Sequence, residues 1–256
     1  MRRAALLFLF AAAACSEAAA PSADEGWDLY LLAGQSNLVG QAPPEGFATP
    51  ELGDRAWELI LGEWVPLREP LRGNRYAVGP IGAFAAATVA QKDSRTVGVV
   101  ICGAGNTGIA EWQKGSPSAL YGSCLFQAQE ARVKGTFRGV VFAQGENDGL
   151  GGEGARPAEW GALFARWAAD VRADLGDPEL PVVYSQVGTP GPAFAASAAT
   201  WAEVQRQQAG AGVPRSRMVP TSDLPTLDGL HFTRDAYQEI GRRWARAMAE
   251  LRGRAR

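Results

Sequence analysis

A single histidine, His231, stands among the 256 residues, and cysteine is nearly as scarce, with three. With no second imidazole to serve as a ligand, a histidine-based metal centre lacks its donors, and no cofactor is expected. Charge of one sign is also missing: the formal net charge is -2 with both signs scattered. There is thus no basic stripe to hold a polyanion, which excludes nucleic acid as a partner. Beyond the first 15 residues no apolar run is long enough to span a bilayer. No composition shift marks an internal boundary, and no repeat is visible.

The chain opens with Met1-Arg2-Arg3 and the apolar, small-residue run Ala4 to Ala14. A basic start before a short apolar segment reads as a secretory signal, too short for a membrane span. Cys15, preceded by alanines and followed by Ser16, resembles the lipidated cysteine of a bacterial lipoprotein signal, with Ala12 where leucine is usual. Residues 1–15 are therefore expected to be a signal peptide of lipoprotein type. The product would be exported and anchored in the cell envelope through Cys15, or else periplasmic or secreted. Residues 16–26 are small and polar without an apolar period, so they read as a flexible tether. Residues 27–256 are enough for one α/β domain with a sizeable core.

Within that domain, short apolar runs alternate with stretches of helical period. Leu29 to Ala33, 96–102, Gly139 to Ala143, Pro181 to Gln186 and Met218 to Thr221 read as strands. Between them lie helical stretches at 80–92, 119–134, 157–175 and 196–208, and the chain closes with one over 233–251. In 157–175, Trp160, Leu163, Phe164, Trp167 and Val171 recur at helical spacing. Such alternation predicts a parallel sheet between two helical layers, a three-layer α/β/α sandwich. Residues 40–75 are irregular, with room for a small hairpin. Cys102 ends a strand and Cys124 lies in the next helix; they either pair or remain two buried thiols.

Chemistry concentrates where the first strand ends. Gly34 permits a sharp turn, and Ser36 follows at the carboxyl end of a strand, the position at which open α/β sheets bind ligands. Near the other terminus, Asp228-Gly229-Leu230-His231 carries the only imidazole. A serine nucleophile needs one base and one acid to orient it, and an Asp three residues before the His reaches its ring if the turn at Gly229 folds back. Taken separately, Ser36 is a helix cap and His231 a structural histidine; taken together they are a nucleophile and its base.

These residues resemble a known family. Gly34-Gln35-Ser36-Asn37-Leu38-Val39-Gly40 is similar to the Gly-Gln-Ser-Asn-Met-x-Gly block of the sialate O-acetylesterase and acetylxylan esterase group of SGNH hydrolases. Val78-Gly79-Pro80 with Phe84-Ala85 resembles its Gly-Pro-x-x-x-Phe-Ala segment. Gly105 to Trp112 resembles Gly-Gly-Thr-Ser-Ile-x-Glu-Trp, and Gln144-Gly145-Glu146-Asn147-Asp148 resembles Gln-Gly-Glu-Ser-Asp. Asp228 to His231 fits the closing Asp-x-x-His.

The resemblance implies a flavodoxin-like SGNH hydrolase fold and a serine esterase acting on O-acetyl esters of carbohydrates. Ser36 would be the nucleophile, His231 the base and Asp228 its partner. The oxyanion would be held by the N–H groups of Ser36 and Gly105, by Asn106, which replaces the family's second glycine, and by the side-chain amide of Gln144. Gln35 and Glu146 would support the site. Arg75 and Trp112 are candidate sugar contacts, although Trp112 serves equally as packing. Substrate walls would come from 72–79, 106–112 and 149–156. Two other readings stay open: a general acyl esterase or lipase-like hydrolase using the same triad, and a carbohydrate-binding protein of this fold whose oxyanion geometry is spoiled at Asn106.

Overall fold

The computed structural model describes residues 26–47, 52–74, 76–91 and 95–253. The expectations for the signal, for Cys15 and for Arg75 fall outside these residues. Among the described residues seven strands form one sheet: β1 (Trp27–Gly34), β2 (Ala56–Ile60), β3 (Glu63–Pro66), β4 (Val97–Gly103), β5 (Gly135–Ala143), β6 (Val182–Ser185) and β7 (Ser216–Val219). Their order is β3-β2-β4-β1-β5-β6-β7. All neighbours are parallel except the β2–β3 hairpin at the edge. Apart from that hairpin, the parallel strands run second-first-third-fourth-fifth, the flavodoxin-like order. The chain therefore reverses direction across the sheet at β1, the switch point where such folds bind ligands.

The helices are α1 (Ser36–Val39), α2 (Ile81–Val89), α3 (Leu120–Ala131), α4 (Glu146–Leu150), α5 (Trp160–Leu175), α6 (Ala198–Ala209) and α7 (Arg234–Gly253). β1 is covered on both faces, and its alternation divides the core. Leu29, Leu31 and Ala33 pack with Phe142, Phe164, Trp167 and Trp201 under α3, α5 and α6. Tyr30 and Leu32 pack with Phe84, Tyr237 and Trp244 under α2 and α7. A strand buried on both faces reads as a continuous apolar run, which is why β1 is legible in sequence.

β5 begins earlier than its apolar run suggests. Arg138 interrupts the run, but its guanidinium donates to the buried Asp28 carboxylate at 2.9 Å, so a cation sits in a central strand without an unmet charge. Cys102 and Cys124 are paired, with Cα atoms 5.6 Å apart, tying the end of β4 to α3.

Candidate active site

Gly34 ends β1 with φ of +150°, and a Cβ there would stand 2.0 Å from the Ala143 carbonyl oxygen of β5. Only glycine lets the chain pass that close before turning into α1. Gln35 is the residue that caps α1, and Ser36 is its first helical residue. The Ser36 hydroxyl is thus not spent on capping. It lies 3.1 Å from His231 Nε2, across 195 residues of sequence.

His231 is held by the turn before α7. Gly229, with φ of +86°, packs its Cα against Gly191, where a Cβ would come within 2.7 Å. Folding back this way, Asp228 receives the N–H groups of Leu230 at 2.9 Å and His231 at 2.7 Å on Oδ1. Its Oδ2 accepts from His231 Nδ1 at 2.8 Å. A carboxylate only accepts, so Nδ1 carries the proton and Nε2 presents its lone pair to the Ser36 hydroxyl. Burial pushes the Asp228 carboxyl up, but the backbone and ring hydrogen bonds of His231 and the Leu230 N–H together hold it below the usual carboxylate range.

Beneath the serine, Asn37 ties three segments together. Its Nδ2 donates to Glu146 Oε1 at 2.7 Å and to the Leu230 carbonyl at 3.1 Å, and its Oδ1 accepts the Tyr237 hydroxyl at 2.6 Å. Burial drives the Glu146 carboxyl upward against the opposing bond from Asn37, and its Oε2 is sealed from solvent with no partner among the described residues. Sequence reasoning assigned no role to Asn37 or Tyr237. The polar Asn directly after the candidate nucleophile was the available signal; Tyr237, on α7, had none.

Gln35 is buried beside Ser36, with Oε1 accepting from Gln144 Nε2 and Gly145 N–H at 3.3 Å and from Asn147 N–H at 3.4 Å. Gln144 differs from expectation. Its amide donates to the Thr107 carbonyl at 2.8 Å and to Asp148 Oδ2 at 2.6 Å, while Oε1 accepts Trp160 Nε1–H at 2.9 Å. Both amide hydrogens are therefore committed inside the protein, and the side chain is 2 % exposed. The end of β5 aims Gln144 inward, where it braces loops. Asp148 completes that brace by accepting the N–H groups of Ile109 at 2.9 Å and Arg156 at 2.6 Å.

Trp112 is core and makes no wall: it is 1 % exposed, edge-on to Phe142, with its indole N–H on Thr107 Oγ1 at 3.0 Å. The 3-10 turn that carries it, Ile109–Trp112, is pinned through Asp148, which points its ring inward. Asn106 adopts φ of +58°, the left-handed well that Asn tolerates best among residues with a Cβ, so its backbone turns as the family glycine would. The N–H groups of Ser36, Gly105 and Asn106 donate to no acceptor among the described residues, and Gly105 and Asn106 are exposed at the mouth.

Residues 26–250 match the family model described as carbohydrate esterase, sialic acid-specific acetylesterase. The chain belongs to that family. Carbohydrate esters are accordingly its class of substrate. A probable carbohydrate esterase of Arabidopsis thaliana is 29 % identical over 242 residues, covering 86 % of this chain and 89 % of that protein. An X-ray structure of an Arabidopsis thaliana protein superposes with a TM-score of 0.76 at 26 % identity, covering 88 % of this chain and 99 % of that one. A carbohydrate acetylesterase from Xanthomonas citri shares the fold, with a TM-score of 0.67 at 19 % identity over 88 % of this chain and 56 % of its own. This esterase therefore carries its Ser36–His231–Asp228 constellation on the family's fold, at the carboxyl end of β1.

Proposed function

We propose that this carbohydrate esterase is a serine hydrolase that removes O-acetyl groups from a sugar, of the acetylxylan or sialate O-acetylesterase type. The observation that carries the reading is the relay from Ser36 Oγ to His231 Nε2 at 3.1 Å and from His231 Nδ1 to Asp228 Oδ2 at 2.8 Å. Ser36 Oγ attacks the acetyl carbon while its proton passes to His231 Nε2. The carbonyl oxygen becomes an oxyanion facing the free N–H groups of Ser36, Gly105 and Asn106, and Asp228 stabilises the imidazolium. On collapse the sugar oxygen leaves with the proton from Nε2, and the acetyl group stays on Ser36. Water, deprotonated by the same nitrogen, then attacks the acetyl-enzyme, releases acetate and restores the serine.

Gln144 enters this reading as a brace that fixes the Thr107 carbonyl and, through Asp148, the loop beside Gly105. We further propose export, with lipidation at Cys15; the Cys102–Cys124 disulfide, a feature of oxidising compartments, supports the compartment. The test is acetate release from p-nitrophenyl acetate and acetylated xylan by the wild type and a Ser36→Ala variant of matched folding. The expected loss in kcat is roughly 10⁶-fold. A folded Ser36→Ala protein that retained most of its activity would exclude the serine mechanism.

A further inference from the structure

Beside the Ser36 turn lies a cavity of about 410 Å³ that the proposed reaction leaves unused. It opens past Val39, the last residue of α1, and reaches between the β2–β3 hairpin and 71–74. Its floor is apolar, from Leu59, Leu71 and Ile101; its polar edge comes from Glu58, Asn74 and Gln127. The volume is in the range of small-molecule sites, as is the mixture of an apolar floor with a few placed polar groups.

Glu58 is the decisive side chain. It is 1 % exposed, and Oε1 accepts only the Arg72 N–H at a long 3.3 Å. Its second oxygen has no hydrogen-bonding partner among the described residues, although the side chain forms part of the cavity wall. That oxygen is not among the side-chain atoms sealed from solvent, so it is open to a donor that enters the cavity. β2 has no need of a Glu for packing: its neighbours Ala56 and Leu59 belong to the two apolar cores.

We propose that this cavity is a subsite for a second, neutral sugar residue, next to the acetylated one, with its hydroxyls donating to Glu58 and its C–H face on Leu71 and Ile101. The subsite rests on the esterase reading above. The reacting acetyl must lie at Ser36 Oγ, and Val39 stands one turn of α1 away, roughly 5 Å along its axis. A sugar carrying that acetyl fills the mouth, and its neighbour in a chain reaches the cavity. The apolar floor and a wall group that accepts hydrogen bonds suit an uncharged sugar residue, and the enzyme prefers an oligosaccharide to a single sugar.

The test compares kcat/KM on three substrates: p-nitrophenyl acetate, an acetylated methyl xyloside, and an acetylated xylotetraose. A Cβ at Gly73, on the cavity wall, meets nothing within 4 Å, so a side chain can be added there, and Gly73→Trp is the plug. Wild type should favour the tetraose over the xyloside by tenfold or more, through KM. Gly73→Trp should erase that preference and leave p-nitrophenyl acetate within twofold. Glu58→Gln, which keeps the shape, should raise KM for the tetraose about fivefold. A wild type active on p-nitrophenyl acetate but without the chain-length preference overturns the subsite alone, as does a plugged variant that keeps the preference or loses both activities equally. A folded wild type inactive on all three substrates overturns the esterase reading together with the subsite.

Discussion

Replacing Asn37 with alanine should disable the site from below while leaving Ser36, His231 and Asp228 unsubstituted. Asn37 is buried and holds three polar groups: Glu146 Oε1, the Leu230 carbonyl and the Tyr237 hydroxyl. Alanine would take one hydrogen-bonding partner from each. A buried polar group left unpaired costs about 1–3 kcal/mol, so three in one connected network amount to roughly 3–5 kcal/mol, less than a plain sum because they share one side chain. Glu146 bears most of this, since its Oε2 already lacks a partner. The kinetic effect has a separate origin. Leu230 directly precedes His231, and without the bond to its carbonyl the imidazole loses its anchor toward Ser36. A misplacement of about 1 Å costs on the order of 100-fold in turnover. Urea denaturation would give the first quantity, and kcat against KM on p-nitrophenyl acetate the second, with kcat falling and KM little changed. A shift under about 1 kcal/mol together with kcat within twofold of wild type would refute the reasoning, because the three bonds would then be shown to carry neither stability nor position.

Stability should fall as pH rises from the carboxylate range toward 8. Burial raises the Glu69 carboxyl from 4.5 to about 8 against the opposing N–H groups of Gly82 and Gly79, and it raises Glu58, Glu146 and Asp148 in the same direction. Between those two values the folded protein keeps a proton that the unfolded chain has lost, so it binds more protons and is disfavoured by raising pH. For Glu69 the loss is on the order of 3 kcal/mol, read as urea midpoints at pH 5.5 and 8, and Glu69→Gln should flatten the dependence. Removing both halves of the Cys102–Cys124 bridge with alanine should cost about 3 kcal/mol, the loop-closure entropy for a separation of 22 residues. Equal stability of the double variant and wild type under non-reducing conditions would count against it.

Much of this protein is written in local patterns. The apolar run ending at Gly34, the helical spacing in α5 and the amphipathic close of the chain all follow from periodicities that need no tertiary information. The meeting of Ser36 with His231 was legible because the residues are so few: with one imidazole in the chain, a partner for Ser36 had one candidate. The turn at Gly229 was legible too, since a glycine there answers a local need for positive φ. The short helices α1 and α4 were missed because four or five residues carry too little period to detect. The hairpin β2–β3 was only loosely anticipated, since its residues alternate weakly and its place at the sheet edge is set by pairing with β4.

Where long-range partners meet depends on packing between distant segments. Sequence determined that Gln144 follows a strand and sits in a polar block, yet not that its amide turns inward to Thr107 and Asp148. Trp112 has the same residue type whether it lines a sugar site or a core; burial against Phe142 settled it. The pairing of Cys102 with Cys124 needed a distance, and the network of Asn37, Glu146 and Tyr237 needed contacts spanning up to 200 residues. Local sequence sets backbone preference and polarity over a few residues, whereas the partner of a buried polar group is set by how helices and loops from distant segments pack onto one sheet. In this chain Ser36 and its turn were encoded locally, and their alignment with His231 was created by the fold.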